Sequence, residues 1–191
     1  MNKALAVYVD LLLKWNATIN LIAAGDVPDI WPRHIADSLQ LGSVLDPLPA
    51  RAIDMGSGAG FPGLVLAIAF GIEVDLIEQD KRKAAFLREA AMVTRAPVRV
   101  HAAKLERANV PPAPLVVARA LAPLKELFRF AEPLLAPDGV CLFPKTIAAE
   151  AEIADARRRW SFGVDRIDSK TDPNGMILRV RDLRRRAALV E

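Results

Sequence analysis

The stretch "IDMGSGAGFPG", residues 53–63, constrains this chain more than any other. An apolar run ends in a single acid, Asp54, and Gly56, Gly58, Gly60 and Gly63 follow within nine positions. Glycine loses more backbone freedom on folding than any other residue, so such a cluster marks a sharp turn or a close approach to the backbone. The flanks read as a strand, "RAIDM", and a helix, "PGLVLAIAF". Strand, glycine turn and helix form the opening unit of α/β sheets that hold ligands beyond the carboxyl ends of their strands.

The rest of the chain fits that unit. After residue 71, strand and helix patterns alternate: "IEVDLIEQ" and "APVRVHA" as strands around the helix "KRKAAFLREAAMV", then a strand near 114–118. The helix "PLKELFRFAEPLL", the strand "GVCLFP" and the helix "IAAEAEIADARRRW" come next. "FGVDRIDSK" and "GMILRVRDL" are two last strands joined by a turn at "DPNG". Alternation predicts an α/β fold with a mostly parallel sheet, and the short final turn predicts an antiparallel hairpin at one edge. Before the glycine loop, residues 3–15 have helical apolar spacing. A second helix is predicted over 27–42, started by Pro28 and bent or divided at Pro32. "LDPLPAR" at 45–51 is a linker. The expectation is one domain, 1–191, with residues 1–45 as a helical extension packed on it; 191 residues suffice for a full core.

Composition removes several classes of function. One cysteine, Cys141, and two histidines, His34 and His101, leave no disulfide framework and no multi-cysteine or histidine-rich metal site. No apolar run is long enough for a membrane span, and the amphipathic start "MNKALAVYVDLLLKWN" is broken by Asp10 and lacks a cleavage site. The net charge of +3 is mild, but cations cluster at 81–83, 157–159 and 179–186. These runs read either as solvated faces or as phosphate contacts.

The loop's chemistry favours a nucleoside. Glu78 ends the second strand eighteen positions after Gly60, where an ionised carboxylate can accept from a ribose diol. Dinucleotide sites want a third glycine at position 61, where this chain has Phe61, and an acid at position 54 suits a pyrophosphate poorly. S-adenosylmethionine carries a sulfonium and an ammonium, which Asp54 would suit, and an adenosine for Glu78. A nicotinamide-dependent oxidoreductase is the alternative enzyme.

"KWNATINLIA" (14–23), "RHIADSL" (33–39), "DMGSGAGFPG" (54–63), "LIEQDKRKAAFL" (76–87) and "ARALAPL" (118–124) together resemble the small-subunit ribosomal RNA guanine-N7 methyltransferase family, also called the glucose-inhibited division protein B family. The resemblance implies a Rossmann-like class I S-adenosylmethionine-dependent methyltransferase that modifies a guanine of 16S rRNA near the decoding centre. It implies a cytoplasmic enzyme, here expected to be a monomer, with the small subunit or an assembly intermediate as partner and no metal. The implied cofactor set is Asp54, Gly56, Ser57, Gly58, Gly60, Phe61, Glu78, Leu105, Glu106 and Arg119, within which Asp54, Gly58 and Gly60 shape the loop. The non-enzyme alternative is an RNA-binding or ribosome-assembly factor that keeps the methyltransferase fold. Arg119 and Lys145 are the implied substrate-positioning residues, and Arg33, His34 and Lys104 join them as RNA contacts. The chain departs from the family where Thr146 follows Lys145 in place of a frequent glycine, and where Lys104 replaces a typical arginine.

Guanine N7 is an in-plane lone pair with no proton to remove. Its methylation therefore needs no general base, only alignment of acceptor, methyl carbon and leaving group.

Overall fold

Alternation along the strands builds a sheet with two apolar faces, and helices cover both. The computed structural model describes residues 2–146 and 148–186. Its strands are β1 (Arg51–Met55), β2 (Glu73–Ile77), β3 (Val98–His101), β4 (Ala113–Val117), β5 (Leu135–Thr146), β6 (Trp160–Asp168) and β7 (Gly175–Arg185). They form one sheet in the order β3-β2-β1-β4-β5-β7-β6. The first five run parallel, and β7 pairs antiparallel with both β5 and β6. The expected edge hairpin is present, with its second strand on the inside and its first at the edge.

The helices are α1 (Lys3–Asn16), α2 (Asp37–Ser43), α3 (Gly63–Phe70), α4 (Lys81–Thr94), α5 (Leu124–Ala131) and α6 (Ala149–Ala156). Ala52, Val74, Leu76, Leu115 and Val117 face one layer, packed with α1, α3 and α4 through Leu5, Tyr8, Leu12, Leu64, Phe86 and Leu87. Their strand neighbours Ile53, Met55, Ile77, Val116, Cys141 and Phe143 face the other, against Leu127 and Phe128 of α5 and Ile153 of α6. Each such side chain, once fully buried, contributes roughly 1.5–3 kcal/mol. Cys141 is buried in this second layer, and burial pushes its thiol far up, so it is inert packing.

Local chemistry sets the helix ends. The Asn2 side chain accepts from the Ala4 N–H at 3.0 Å and starts α1, whose Leu5, Tyr8, Val9 and Leu12 form its buried stripe. Asp80 does the same for α4, accepting from Arg82 at 2.8 Å. The region read as a helix over 27–42 is more irregular. A short 3-10 turn at Ala24–Asp26 precedes a π-helical turn, Trp31–Ala36, which runs into α2. Pro32 lies in the first turn of that segment, where a missing N–H is tolerated, and does not divide a helix. The N-terminal helices join the same core as the sheet.

Candidate functional site

The glycine loop crosses the carboxyl end of β1. Gly56, Gly58 and Gly60 have φ of 69°, 55° and 99°, values that other residues rarely adopt. Gly56 and Ser57 donate to the carbonyl of Ile77 at 2.9 and 3.0 Å, which ties the loop to the end of β2. From the other side, the buried Tyr8 hydroxyl donates to the carbonyl of Ala59 at 2.5 Å. The N-terminal helix α1 thus holds the loop in shape.

Glu78 is nearly buried, and its carboxylate is anchored by backbone donors. Oε2 accepts from Gly58 at 2.9 Å and Oε1 from Asp80 at 2.7 Å. Each oxygen keeps a second lone pair for a ligand hydroxyl.

Asp54 is not where the charge pattern put it. Its Oδ2 accepts from the Gly63 N–H at 3.0 Å, beneath the loop at the start of α3. A Cβ on residue 63 would lie 2.5 Å from that of Asp54, so only glycine fits there. Asp54 is fully buried, its Oδ1 has no partner among the described residues, and it does not line the cleft. Burial pushes its carboxyl up to about 7, although the Gly63 hydrogen bond works against the rise. Gly60 also lies outside the cleft lining and packs against Leu64 and Leu87. Both residues shape the loop from behind.

The cleft above the loop has a volume of about 680 Å³. Of the expected cofactor residues, Gly56, Ser57, Gly58, Phe61, Glu78, Leu105, Glu106 and Arg119 line it. Leu105 and Glu106 reach it from a 3-10 turn after β3. Of the expected RNA contacts, Lys104, His34 and Arg119 line this cleft, and Arg33 and Lys145 do not. Sequence reading missed Leu21, Ile22 and Asp26, which enter from the segment after α1, and Gln79 beside Glu78. The acids at the cleft are thus Asp26, Glu78 and Glu106 in place of Asp54.

A second cavity of about 410 Å³ adjoins the first, and His34, Arg119 and Ala120 line both. Arg33, Asp37, Gln40, Lys145 and Thr146 add to its walls. The structure therefore brings Arg33, His34, Arg119 and Lys145 together from three distant parts of the chain.

Arg119 occupies the divide. Its guanidinium donates to Nδ1 of His34 at 2.9 Å, to Oδ2 of Asp37 at 3.2 Å and to the Arg33 carbonyl at 3.3 Å, and its Cζ sits 4.8 Å over the Phe61 ring. An arginine cannot accept, so Nδ1 of His34 is the acceptor and the ring proton is on Nε2. Nε2 faces Asp26 Oδ2 at 3.5 Å, too long for a strong hydrogen bond. Burial and then the Arg119 charge hold the His34 pKa below its ordinary value, which agrees with a neutral ring. The imidazole stacks on Phe61, with centroids 4.9 Å apart.

Asp37 is itself held. Its Oδ1 accepts from Gln40 Nε2 at 2.7 Å and from the Thr171 hydroxyl at 2.9 Å, and the Lys170 N–H donates to Gln40 Oε1 at 2.9 Å. A half-buried polar chain thus links the β6–β7 turn to the guanidinium. Lys145 is committed as well: its Nζ donates to Glu152 Oε2 at 2.7 Å and to the Ala122 carbonyl at 3.0 Å, leaving one N–H for the cavity. His101 lies away from the site and pairs with Asp75 at 2.7 Å. No group of side chains suited to a metal occurs among the described residues.

The family model for rRNA small subunit methyltransferase G, GidB, matches residues 1–172. The chain belongs to that family. A ribosomal RNA small subunit methyltransferase G from Gluconobacter oxydans is 50% identical over 178 residues, covering 93% of this chain and 92% of that protein. The one from Rhodospirillum centenum is 52% identical over 179 residues, covering 94% and 83%. Among solved structures, the tRNA (m1A58) methyltransferase TrmI of Aquifex aeolicus superposes with a TM-score of 0.62 at 15% identity, over 80% of this chain and 69% of that one. At that identity the likeness shows a shared methyltransferase fold. Among the described residues, no helix is long and apolar enough to cross a membrane.

Proposed function

We propose that this chain transfers the methyl group of S-adenosylmethionine to N7 of a guanine in 16S rRNA near the decoding centre. The loop cleft would hold the methyl donor and the adjoining cavity the target base. Family membership supports an RNA methyltransferase and leaves no ground for the nicotinamide alternative. The loop anchors are intact, which speaks against a decayed binding factor.

The cleft fits the donor. The backbone-anchored Glu78 keeps acceptors for a ribose, and Asp26 and Glu106, paired with Arg33 at 2.9 Å and Arg129 at 3.5 Å, add carboxylates to the cleft wall. Leu105, Ile22 and Phe61 supply apolar walls. When bound, this donor supplies an electrophilic methyl group on a sulfonium. The residues of the chain bind, orient and exclude water.

One observation carries the N7 reading: among the described residues, His34 and Asp37, the titratable side chains that Arg119 touches at the divide, are both committed. The lone pair of the neutral His34 ring is occupied by Arg119, and Asp37 is occupied by Arg119, Gln40 and Thr171. A reaction that removes no proton needs neither. The uncommitted N–H donors of Arg119, with one N–H of Lys145, are left to hold a phosphate or the base edge in the second cavity. Asp54, Ser57 and Gly60 keep the loop in shape, and Lys104 and Arg33 add charge at the rims.

The enzyme is proposed to work as a monomer and as one domain over 1–191, with residues 1–45 contributing Asp26, Arg33 and His34 to the site. A ribosomal substrate supports a cytoplasmic enzyme. Incubation with labelled methyl donor and unmodified small-subunit RNA tests the reading: label should enter the RNA, and its absence would remove the assignment.

A further inference from the structure

The basic runs at 157–159 and 184–186 lie far apart in sequence, and the fold brings them to one corner. The Arg186 N–H donates to the Arg159 carbonyl at 2.9 Å, and its Nε donates to the Trp160 carbonyl at 3.2 Å. Arg185 pairs in register with Trp160, and Arg184 with Ser161. The Arg157 guanidinium lies 5.0 Å over the Phe162 ring. All six arginines are exposed. Among the described residues, Asp155 alone forms an ion pair with any of them, 3.9 Å from Arg158, and it is shared with Lys125 at 3.3 Å.

The middle of the same hairpin is different. There Arg166 pairs with Glu150 and Arg181 with Asp165. Mixed charge keeps that stretch solvated without surplus. At the corner, like charges crowd and repel, an arrangement that becomes favourable when a polyanion is bound.

The corner lies far from the reaction centre. β7 starts at Gly175, which pairs with Thr146 in the wall of the second cavity. Arg185 is ten residues further along the strand, about 30 Å at the usual rise. The screening length at physiological salt is about 8 Å. These charges therefore cannot influence the transferred group directly, and they act only on something large enough to reach both places.

We propose that this arginine corner is a second RNA-docking surface, gripping backbone phosphates of the same ribosomal RNA whose target base enters the cavity. The inference rests on the proposed RNA substrate. Phosphate contacts carry affinity and register without reading sequence, so the corner would hold the substrate while Arg119 positions the base.

The test is the triple variant Arg159→Gln, Arg184→Gln, Arg185→Gln, with a matching triple lysine variant. Both are assayed with unmodified small-subunit RNA across a salt series. The glutamine variant should bind RNA about tenfold or more weakly, with a salt slope shallower by roughly two to three. Its affinity for S-adenosylmethionine and its single-turnover rate at saturating RNA should match wild type, and the lysine variant should retain most RNA affinity. A folded glutamine variant with unchanged affinity and salt slope would overturn the proposal, as would a loss confined to the saturated rate. Binding and transfer are read separately: absent transfer in wild type counts against the reaction, and unchanged binding in the variant counts against the corner.

Discussion

The guanidinium of Arg119 donates to Nδ1 of His34 across 2.9 Å, which fixes the neutral, Nε2-protonated form of that ring at the divide between the two cavities. Protonating Nδ1 would set two donors against each other. Arg119, Arg33, Asp26 and Asp37 are the charges around the ring. Since the His34 pKa is lowered, the folded state binds fewer protons than the unfolded one below about 6.5, so both stability and the Arg119 contact weaken as pH falls. Saturated single-turnover methylation should be flat around neutral pH and fall in acid. In His34→Asn, whose side-chain oxygen can still accept, the acid limb should shift or vanish. A wild-type acid limb that survives this change would remove His34 from the account.

Arg119→Lys keeps the charge and loses the planar fork that serves His34, Asp37 and the Arg33 carbonyl together. Losing one to two such charged hydrogen bonds, about 1.5–3 kcal/mol, should slow transfer roughly 10–100-fold. Rapid-quench assays with saturating substrates measure this. Calorimetry should find S-adenosylmethionine binding far less changed than the rate.

Asp54 gives an opposite pH signature. Its folded pKa, raised by burial to about 7 from 3.8, means that the folded state holds a proton the unfolded state has released. Stability from this group should therefore fall as pH rises from about 4 to about 7, by at most about 4 kcal/mol. Thermal melts of Asp54→Asn should lack that slope. Parallel melting curves for wild type and variant would show that Asp54 is ionised throughout.

Glu78 has two tasks, since its carboxylate both pins Gly58 and Asp80 and leaves acceptors for a ribose. Glu78→Ala should weaken S-adenosylmethionine by roughly 1.5–3 kcal/mol and also lower protein stability by about 1–3 kcal/mol, several degrees in Tm for a chain of this size. Calorimetry and melting without ligand separate the two. A variant with normal Tm and normal affinity would refute both roles.

Much of this was legible in the sequence because it is local. β1 begins and ends where "RAIDM" does, and the glycine loop follows it directly. Glu78 stands just past the end of β2, as its position implied. The direction of the Asp54 side chain was not legible, since charge alone cannot tell whether an acid faces a ligand or the first N–H of the next helix. Asp26 reaches the cleft from the 3-10 turn that follows α1, and nothing in "AAGDVP" announces it. Gln40 and Thr171 meet across 131 positions, a contact no local pattern encodes. The basic runs at 157–159 and 184–186 were visible, but their convergence depends on the register of β6 with β7.

The central claim is a methyl transfer that removes no proton, and the position of the methyl group on the product tests it most directly. Wild-type protein, labelled methyl donor and unmodified small-subunit RNA are incubated, and the modified nucleoside is identified and mapped. The expected product is N7-methylguanine at a single guanine near the decoding centre, formed at a rate that does not rise with pH through neutrality. Methylation at a guanine N1 or N2, or at a ribose hydroxyl, would require a proton to leave and would contradict it.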